Sequence, residues 1–84
     1  MKATHREMIH ARCPVEPVWD YYEVEVIADQ LVRVETVRAA VAAEAGKETY
    51  QEDLTQRLAT AIGARVTTTG MHRTTRTTVT CEPA

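Results

Sequence analysis

Cysteine is scarce in this chain. Of 84 residues only Cys13 and Cys81 carry a thiol, so a disulfide framework of the secreted kind is excluded. Neither has a second cysteine at CxxC spacing, and His5, His10 and His72 are scattered along the sequence. A zinc site needs closer ligand spacing, so no metal is expected. No apolar run approaches the roughly 20 residues that span a bilayer, and no charged-then-apolar leader opens the chain. A soluble cytoplasmic protein with no membrane partner is the resulting expectation. Repeats, low-complexity tracts and linkers are absent too. So are a glycine-rich phosphate loop, a Ser-His-Asp arrangement and a basic-aromatic RNA motif.

The length fits one domain, residues 1–84, with no room for a second core. A domain of this size buries a modest fraction of its surface and needs some supplement to its core. With disulfides and metal set aside, a homo-oligomer is the expected supplement. The formal net charge is -2, which argues against a dedicated nucleic-acid binder. It is unevenly spread: residues 1–53 hold six Lys/Arg against eleven Asp/Glu, and residues 54–84 hold four Arg against one Glu. Arg65, Arg73 and Arg76 could give the C-terminal part an anion-facing surface, although an ordinary solvated strand face is the simpler account of them.

Alternation around Ile9 and Ala11 predicts a first strand ending at Arg12. Cys13-Pro14-Val15-Glu16-Pro17 cannot be regular structure, since each proline fixes one dihedral and removes one donor. Asp20 begins a second strand, and Tyr22-Glu23-Val24-Glu25-Val26 alternates as a half-buried strand should. The period then lengthens. Val34, Val37, Val41 and Ala45 form a helical stripe, which Gly46 ends as a C-cap. Thr49 to Glu52 reads as a capping box opening a second helix, with Leu54, Leu58, Ala61 and Ile62 as its apolar stripe and Gly63 as its end. The threonine-rich stretch Arg65–Cys81 predicts a hairpin turning near Gly70-Met71-His72. The order ββααββ implies an α+β domain, an antiparallel sheet covered on one face by helices. Its unpaired edges invite side-by-side association of subunits.

Cys13 is the first candidate for chemistry. Taken alone it reads as apolar filler, but its proline neighbour can hold it rigidly against a pocket, where a thiolate is a nucleophile. Asp20 follows a proline-containing excursion that folds it back towards Cys13. An acid beside a thiol suits addition to a carbon–nitrogen multiple bond: sulfur attacks carbon while the acid protonates nitrogen. The alternative for Asp20 is a turn cap. Glu52 offers two acceptors that match the donor edge of a guanine-like heterocycle, yet on spacing alone the helix cap is the simpler role. Trp19, with Tyr21 and Tyr22, offers faces that stack on a heterocycle or fill a core or interface. His72 follows the turn glycine and reads as an exposed turn residue.

These residues carry a resemblance. Cys13-Pro14 followed by Asp20 resembles the "CP…D" segment of the QueF family, and Tyr50-Gln51-Glu52-Asp53 resembles its second signature, in which histidine precedes the glutamate. The likeness runs over roughly residues 9–81. It implies the tunnelling fold (T-fold), a four-stranded antiparallel sheet with two helices on one face, assembled into ring-like barrels with sites between subunits. It implies a thioimide between Cys13 and the nitrile of 7-cyano-7-deazaguanine, free or in tRNA or DNA, with Asp20 as proton donor. Glu52 would anchor the heterocycle, and Gln51, Trp19 and His72 complete the substrate-binding candidates. Two departures bear on the outcome. Val34–Ala39 lacks both lysines of the NADPH-associated stretch of the nitrile reductases, whereas the length and the Ala45–Glu48 turn are similar to the short archaeal QueF-like amidinotransferases. These imply ammonia as co-substrate, no cofactor and an archaeosine-type amidine product; NADPH belongs only to the reductase alternative. The second departure is Gln51, which can hydrogen-bond a ligand but cannot titrate near neutral pH. It favours a further alternative, a non-catalytic module that keeps a purine or pterin pocket.

Overall fold

Alternation of less and more exposed residues runs through the strands, reaching full burial in β1, β2 and β3, and it sorts the molecule into a sheet with one covered face. The computed structural model describes every residue from Met1 to Ala84. Its elements are β1 (Ala3–Arg12), β2 (Trp19–Ala28), α1 (Val34–Glu44), α2 (Gln51–Ile62), β3 (Arg65–His72) and β4 (Thr75–Cys81). The strands form one antiparallel sheet in the order β1-β2-β3-β4, so β1 and β4 are its edges. This is the expected four-stranded, two-helix architecture in ββααββ order.

The covered face brings Ile9, Ala11, Tyr22, Val24, Val26 and Val66 against Val37, Val41, Leu54, Leu58 and Ile62 of the helices. Leu54 and Leu58 are fully buried, each stabilising the fold by roughly 1.5–3 kcal/mol relative to an exposed side chain. Polar atoms enter this core only in pairs: Thr55 Oγ1 donates to the Gln51 carbonyl at 2.7 Å and lies 2.7 Å from Thr68 Oγ1. No buried side-chain nitrogen or oxygen is left without a partner.

Four local expectations are corrected. The hairpin turns at Arg73-Thr74, beyond the predicted Gly70-Met71-His72, and Gly70 lies inside β3. Local composition does not place that turn; packing does. A Cβ on Gly70 would stand 2.4 Å from Tyr22 Cδ1, so glycine is required there by the close approach of a ring across the sheet. The second correction concerns α2, whose N-cap is Tyr50 with no side-chain cap bond. The Thr49 hydroxyl instead donates to the Tyr50 carbonyl at 3.0 Å and accepts from Arg57 at 2.9 Å. The capping box is therefore not formed, and Glu52 carries no cap. Third, the α1 stripe buries Val37, Ala40 and Val41, while Val34 and Ala45 are exposed. Fourth, Ala61 is exposed and Ala59 takes its place on the buried side of α2. Gly63 does end α2, in the left-handed region at φ 77°.

Candidate functional site

Ten paired residues per strand fix the β1–β2 hairpin in a register that matches Arg12 with Trp19 and Ala11 with Asp20. Cys13 continues β1 by one residue and its N–H donates to the Val18 carbonyl at 3.0 Å. Side chains on alternate positions of paired strands share a face, so Cys13 and Asp20 stand diagonally across the hairpin on the same side. Their spacing in sequence is what the six-residue loop and the strand period demand.

The neighbourhood of Cys13 is pinned from the other side as well. Arg12 N–H donates to the Lys47 carbonyl at 2.9 Å, and Thr49 N–H donates to the Arg12 carbonyl at 3.1 Å. The segment between the helices thus runs beside the end of β1 in a short parallel bridge, Arg12 with Glu48. It delivers the start of α2, with Gln51 and Glu52, to the end of the sheet that holds Cys13.

On β3, the register with β2 ends at Tyr22 opposite Gly70. Two residues further along lie Asp20 and His72, converging on one cleft. That cleft, about 140 Å³, is lined by Cys13, Glu16, Val18, Asp20, His72 and Arg73. Its rim carries a two-pronged ion pair: Arg73 Nη2 reaches both Glu16 oxygens, at 2.8 and 2.9 Å. The pair ties the proline loop to the β3–β4 turn. Arg73 occupies the left-handed region at φ 59°.

Asp20 is buried, and its carboxylate accepts from the Tyr22 hydroxyl at 3.3 Å. Burial, and next the Asp20 carboxylate, push the Tyr22 phenol well above its ordinary range; Cys13 and Glu52 add to the same field. Tyr22 is therefore a committed donor. Its ring is a core residue, 1 % exposed, and lies at 5.9 Å centroid separation from the His72 imidazole. Holding the Asp20 partner is a role that strand alternation does not reveal.

The remaining candidates divide. Gln51 is buried and spends its amide inside the protein: Nε2 donates to the Thr68 carbonyl, the Thr68 hydroxyl and the Thr77 carbonyl, each at 3.1 Å. Its Oε1 lies 2.8 Å from His72 Nε2. His72 is accordingly a half-buried strand residue where an exposed turn residue was expected. Glu52 is exposed in the first turn of α2, free of intrachain hydrogen bonds or ion pairs, and lies outside the Cys13 cleft. Trp19 is on the opposite face of the sheet from Cys13. There it sits at 5.3 Å centroid separation from His10, with the Arg12 guanidinium 5.7 Å from its ring centre. Tyr21 shares that face. The structure thus brings Cys13, Asp20 and His72 together, sets Gln51 behind His72, and keeps Trp19 apart.

The basic C-terminal surface is partly neutralised, since Arg65 pairs with Glu82 and Arg73 with Glu16. No group of three His, Cys, Asp or Glu side chains is placed to hold a metal ion. No helix is long and apolar enough to cross a membrane.

The sequence matches no family profile and no curated protein. Among solved structures, the apo form of the archaeosine synthase QueF-Like superposes with a TM-score of 0.82 at 20% sequence identity, covering 98% of this chain and 92% of that one. A likeness of this extent at this identity is one of fold: the chain has the T-fold of the archaeosine synthase QueF-Like.

Proposed function

We propose that the protein is a QueF-like enzyme that captures the nitrile of a 7-deazaguanine through Cys13 and converts it to an amidine with ammonia. The observation that carries this reading is the shared cleft of Cys13 and Asp20, on a fold in common with an archaeosine synthase. The Cys13 sulfur adds to the nitrile carbon of 7-cyano-7-deazaguanine. The thiol proton passes by way of the Asp20 carboxyl to the nitrile nitrogen, giving a neutral thioimide and returning Asp20 to its starting state. Ammonia then adds to the thioimide carbon and the carbon–sulfur bond breaks, so the product is the amidine and the thiol is regenerated. No cofactor is consumed. The substrate is a free base or a base within tRNA or DNA, and Glu52 binds its donor edge. Assembly through the edge strands β1 and β4 belongs to the same reading, since it pairs two exposed backbone edges and brings Glu52 of one subunit towards the cleft of another.

One observation favours a second reading. Gln51 stands where the resembled signature has histidine, and its amide is consumed by internal bonds. A module that binds a purine or pterin without turnover would fit such a residue.

Intact mass after incubation with 7-cyano-7-deazaguanine tests both. An adduct equal to the whole nitrile, absent from Cys13→Ala, is the expected result. A chase with ammonium should release an amidine, whereas release of an amine with NADPH would assign a nitrile reductase. Calorimetric binding with no adduct at any pH would overturn the enzymatic reading in favour of the module.

A further inference from the structure

We propose that His72, oriented by Gln51, is the acid–base group that moves protons when ammonia displaces the Cys13 thiol. The inference rests on the enzymatic reading above and assigns a role to a residue that it leaves unused.

The Gln51 amide cannot turn over. Two of the three acceptors around Gln51 Nε2 are backbone carbonyl oxygens, of Thr68 in β3 and Thr77 in β4. A carbonyl has no proton to give, so exchanging the amide nitrogen and oxygen would set oxygen against oxygen twice in a buried place. The orientation of the Gln51 amide is therefore fixed, and Oε1 is the atom that faces His72 Nε2 at 2.8 Å. Oxygen there needs a donor, so Nε2 of His72 keeps its proton whether the ring is neutral or charged. Nδ1 is left as the nitrogen free to accept a proton, and it has no hydrogen-bond partner within the chain. The ring that carries it lines the cleft with Cys13 and Asp20. A buried glutamine setting the tautomer of a cleft histidine is a positioning device of the kind that orients general bases.

The chemistry has a use for such a nitrogen. Ammonia that adds to the thioimide carbon carries a surplus proton, and the departing sulfur of Cys13 lacks one. Nδ1 takes the proton from the nitrogen and returns it to the sulfur, leaving the imidazole neutral, the amidine complete and the thiol restored. Asp20 serves the earlier protonation of the nitrile nitrogen, so the two halves of the reaction draw on different groups in one cleft.

The test separates the two halves on the full-length protein. Intact mass follows thioimide formation with 7-cyano-7-deazaguanine, and an ammonium chase follows its loss. His72→Ala should form the adduct to the wild-type stoichiometry but release it about 10²-fold or more slowly, and added imidazole should restore part of the chase rate. His72→Gln keeps an N–H donor for Gln51 Oε1 without a basic nitrogen, and should be as slow as His72→Ala. A wild-type chase rate in His72→Gln, or in His72→Ala without imidazole, overturns the role of His72. Failure of the wild-type protein itself to form an adduct overturns the enzymatic reading instead. The tautomer is checked without substrate: ¹⁵N shifts of the neutral His72 ring should show Nε2 protonated, and an Nδ1–H tautomer would sink the positioning by Gln51.

Discussion

The Tyr22 hydroxyl donates to the Asp20 carboxylate at 3.3 Å, and the two side chains rise from the same face of β2, two residues apart. Tyr22 is fully buried while Asp20 lines the cleft, so a core residue reaches out to hold a site residue. This coupling makes the strand period itself a part of the site. Any change that shifts the Tyr22 ring moves the donor that meets Asp20.

Tyr22→Phe keeps the ring and removes the donor. The Asp20 carboxylate then loses its hydrogen bond in a buried setting, which costs about 1–3 kcal/mol. The pH dependence has a definite sign. Below the ordinary tyrosine value of 10.0 the native and unfolded chains both hold this proton, and its stabilising contribution is fully present. As pH rises above that value the unfolded phenol ionises while the native one, held high by burial and Asp20, does not. Stability should fall there by at most about 1.4 kcal/mol per pH unit. Urea unfolding from about pH 8 to 11, which brackets the free phenol, should show this extra alkaline loss in the wild type and not in Tyr22→Phe.

Gly70→Ala tests the other side of the same ring. The new Cβ would meet Tyr22 Cδ1 at 2.4 Å, Cε1 at 2.7 Å and the Tyr21 carbonyl oxygen at 3.0 Å. Two of these belong to a ring locked in the core, and the third to the backbone of a central strand, so neither yields readily. A loss of about 1–3 kcal/mol in unfolding free energy is expected. Slower alkylation or nitrile capture at Cys13 should accompany it, since the displaced ring loosens Asp20. A stability equal to wild type by chemical denaturation would show that Tyr22 has another rotamer to use.

Much of this arrangement is legible in the sequence, and the part that is not has physical causes. Period-2 alternation in Tyr22–Val26 and the helical spacing of Leu54 and Leu58 report which face is buried, and burial is what the sheet and α2 obey. The Cys13 to Asp20 spacing reports a hairpin diagonal. The turn of the last hairpin was obscured because Gly70 signals two things at once, a turn and a close approach, and only the position of Tyr22 across the sheet decides between them. Thr49 departs from its capping-box spacing for a similar reason. Its hydroxyl is drawn to the Tyr50 carbonyl and to Arg57, and Arg57 is itself held by Glu44 of α1 at 2.8 Å. That competition comes from packing between helices, which local spacing does not contain. Gln51 and His72 lie 21 positions apart and meet only because α2 is laid across β3 and β4.

The Glu16–Arg73 pair closes the rim of the cleft in an exposed position. Exposed pairs contribute about 0.2–1 kcal/mol, so Glu16→Gln should hardly change the melting temperature. The expected effect is on access, with faster alkylation of Cys13 by iodoacetamide as the proline loop is released. Arg73 adds a second, separable term because its backbone is left-handed at φ 59°. Arg73→Gly loses the ion pair but relieves the strain, so it should be more stable than Arg73→Ala by about 1 kcal/mol. Equal stabilities for the two variants would count against strain at this turn.

Glu52 separates a helix-cap role from a ligand role. In the first turn of α2 its carboxylate faces the positive end of the helix dipole, and it has no hydrogen bond to Thr49 or to the N-cap residue Tyr50. Removing the charge in Glu52→Gln therefore costs the fold only about 0.3–1 kcal/mol. A carboxylate that accepts two adjacent donors of a guanine-like edge is worth far more to the ligand, since those donors would then face a group with one acceptor fewer and an N–H in its place. Calorimetric titration with 7-cyano-7-deazaguanine should show affinity falling at least about tenfold, equivalent to about 1.4 kcal/mol, while the melting temperature barely moves. A large drop in melting temperature with unchanged affinity would return Glu52 to the structure of the helix and leave the heterocycle to other residues.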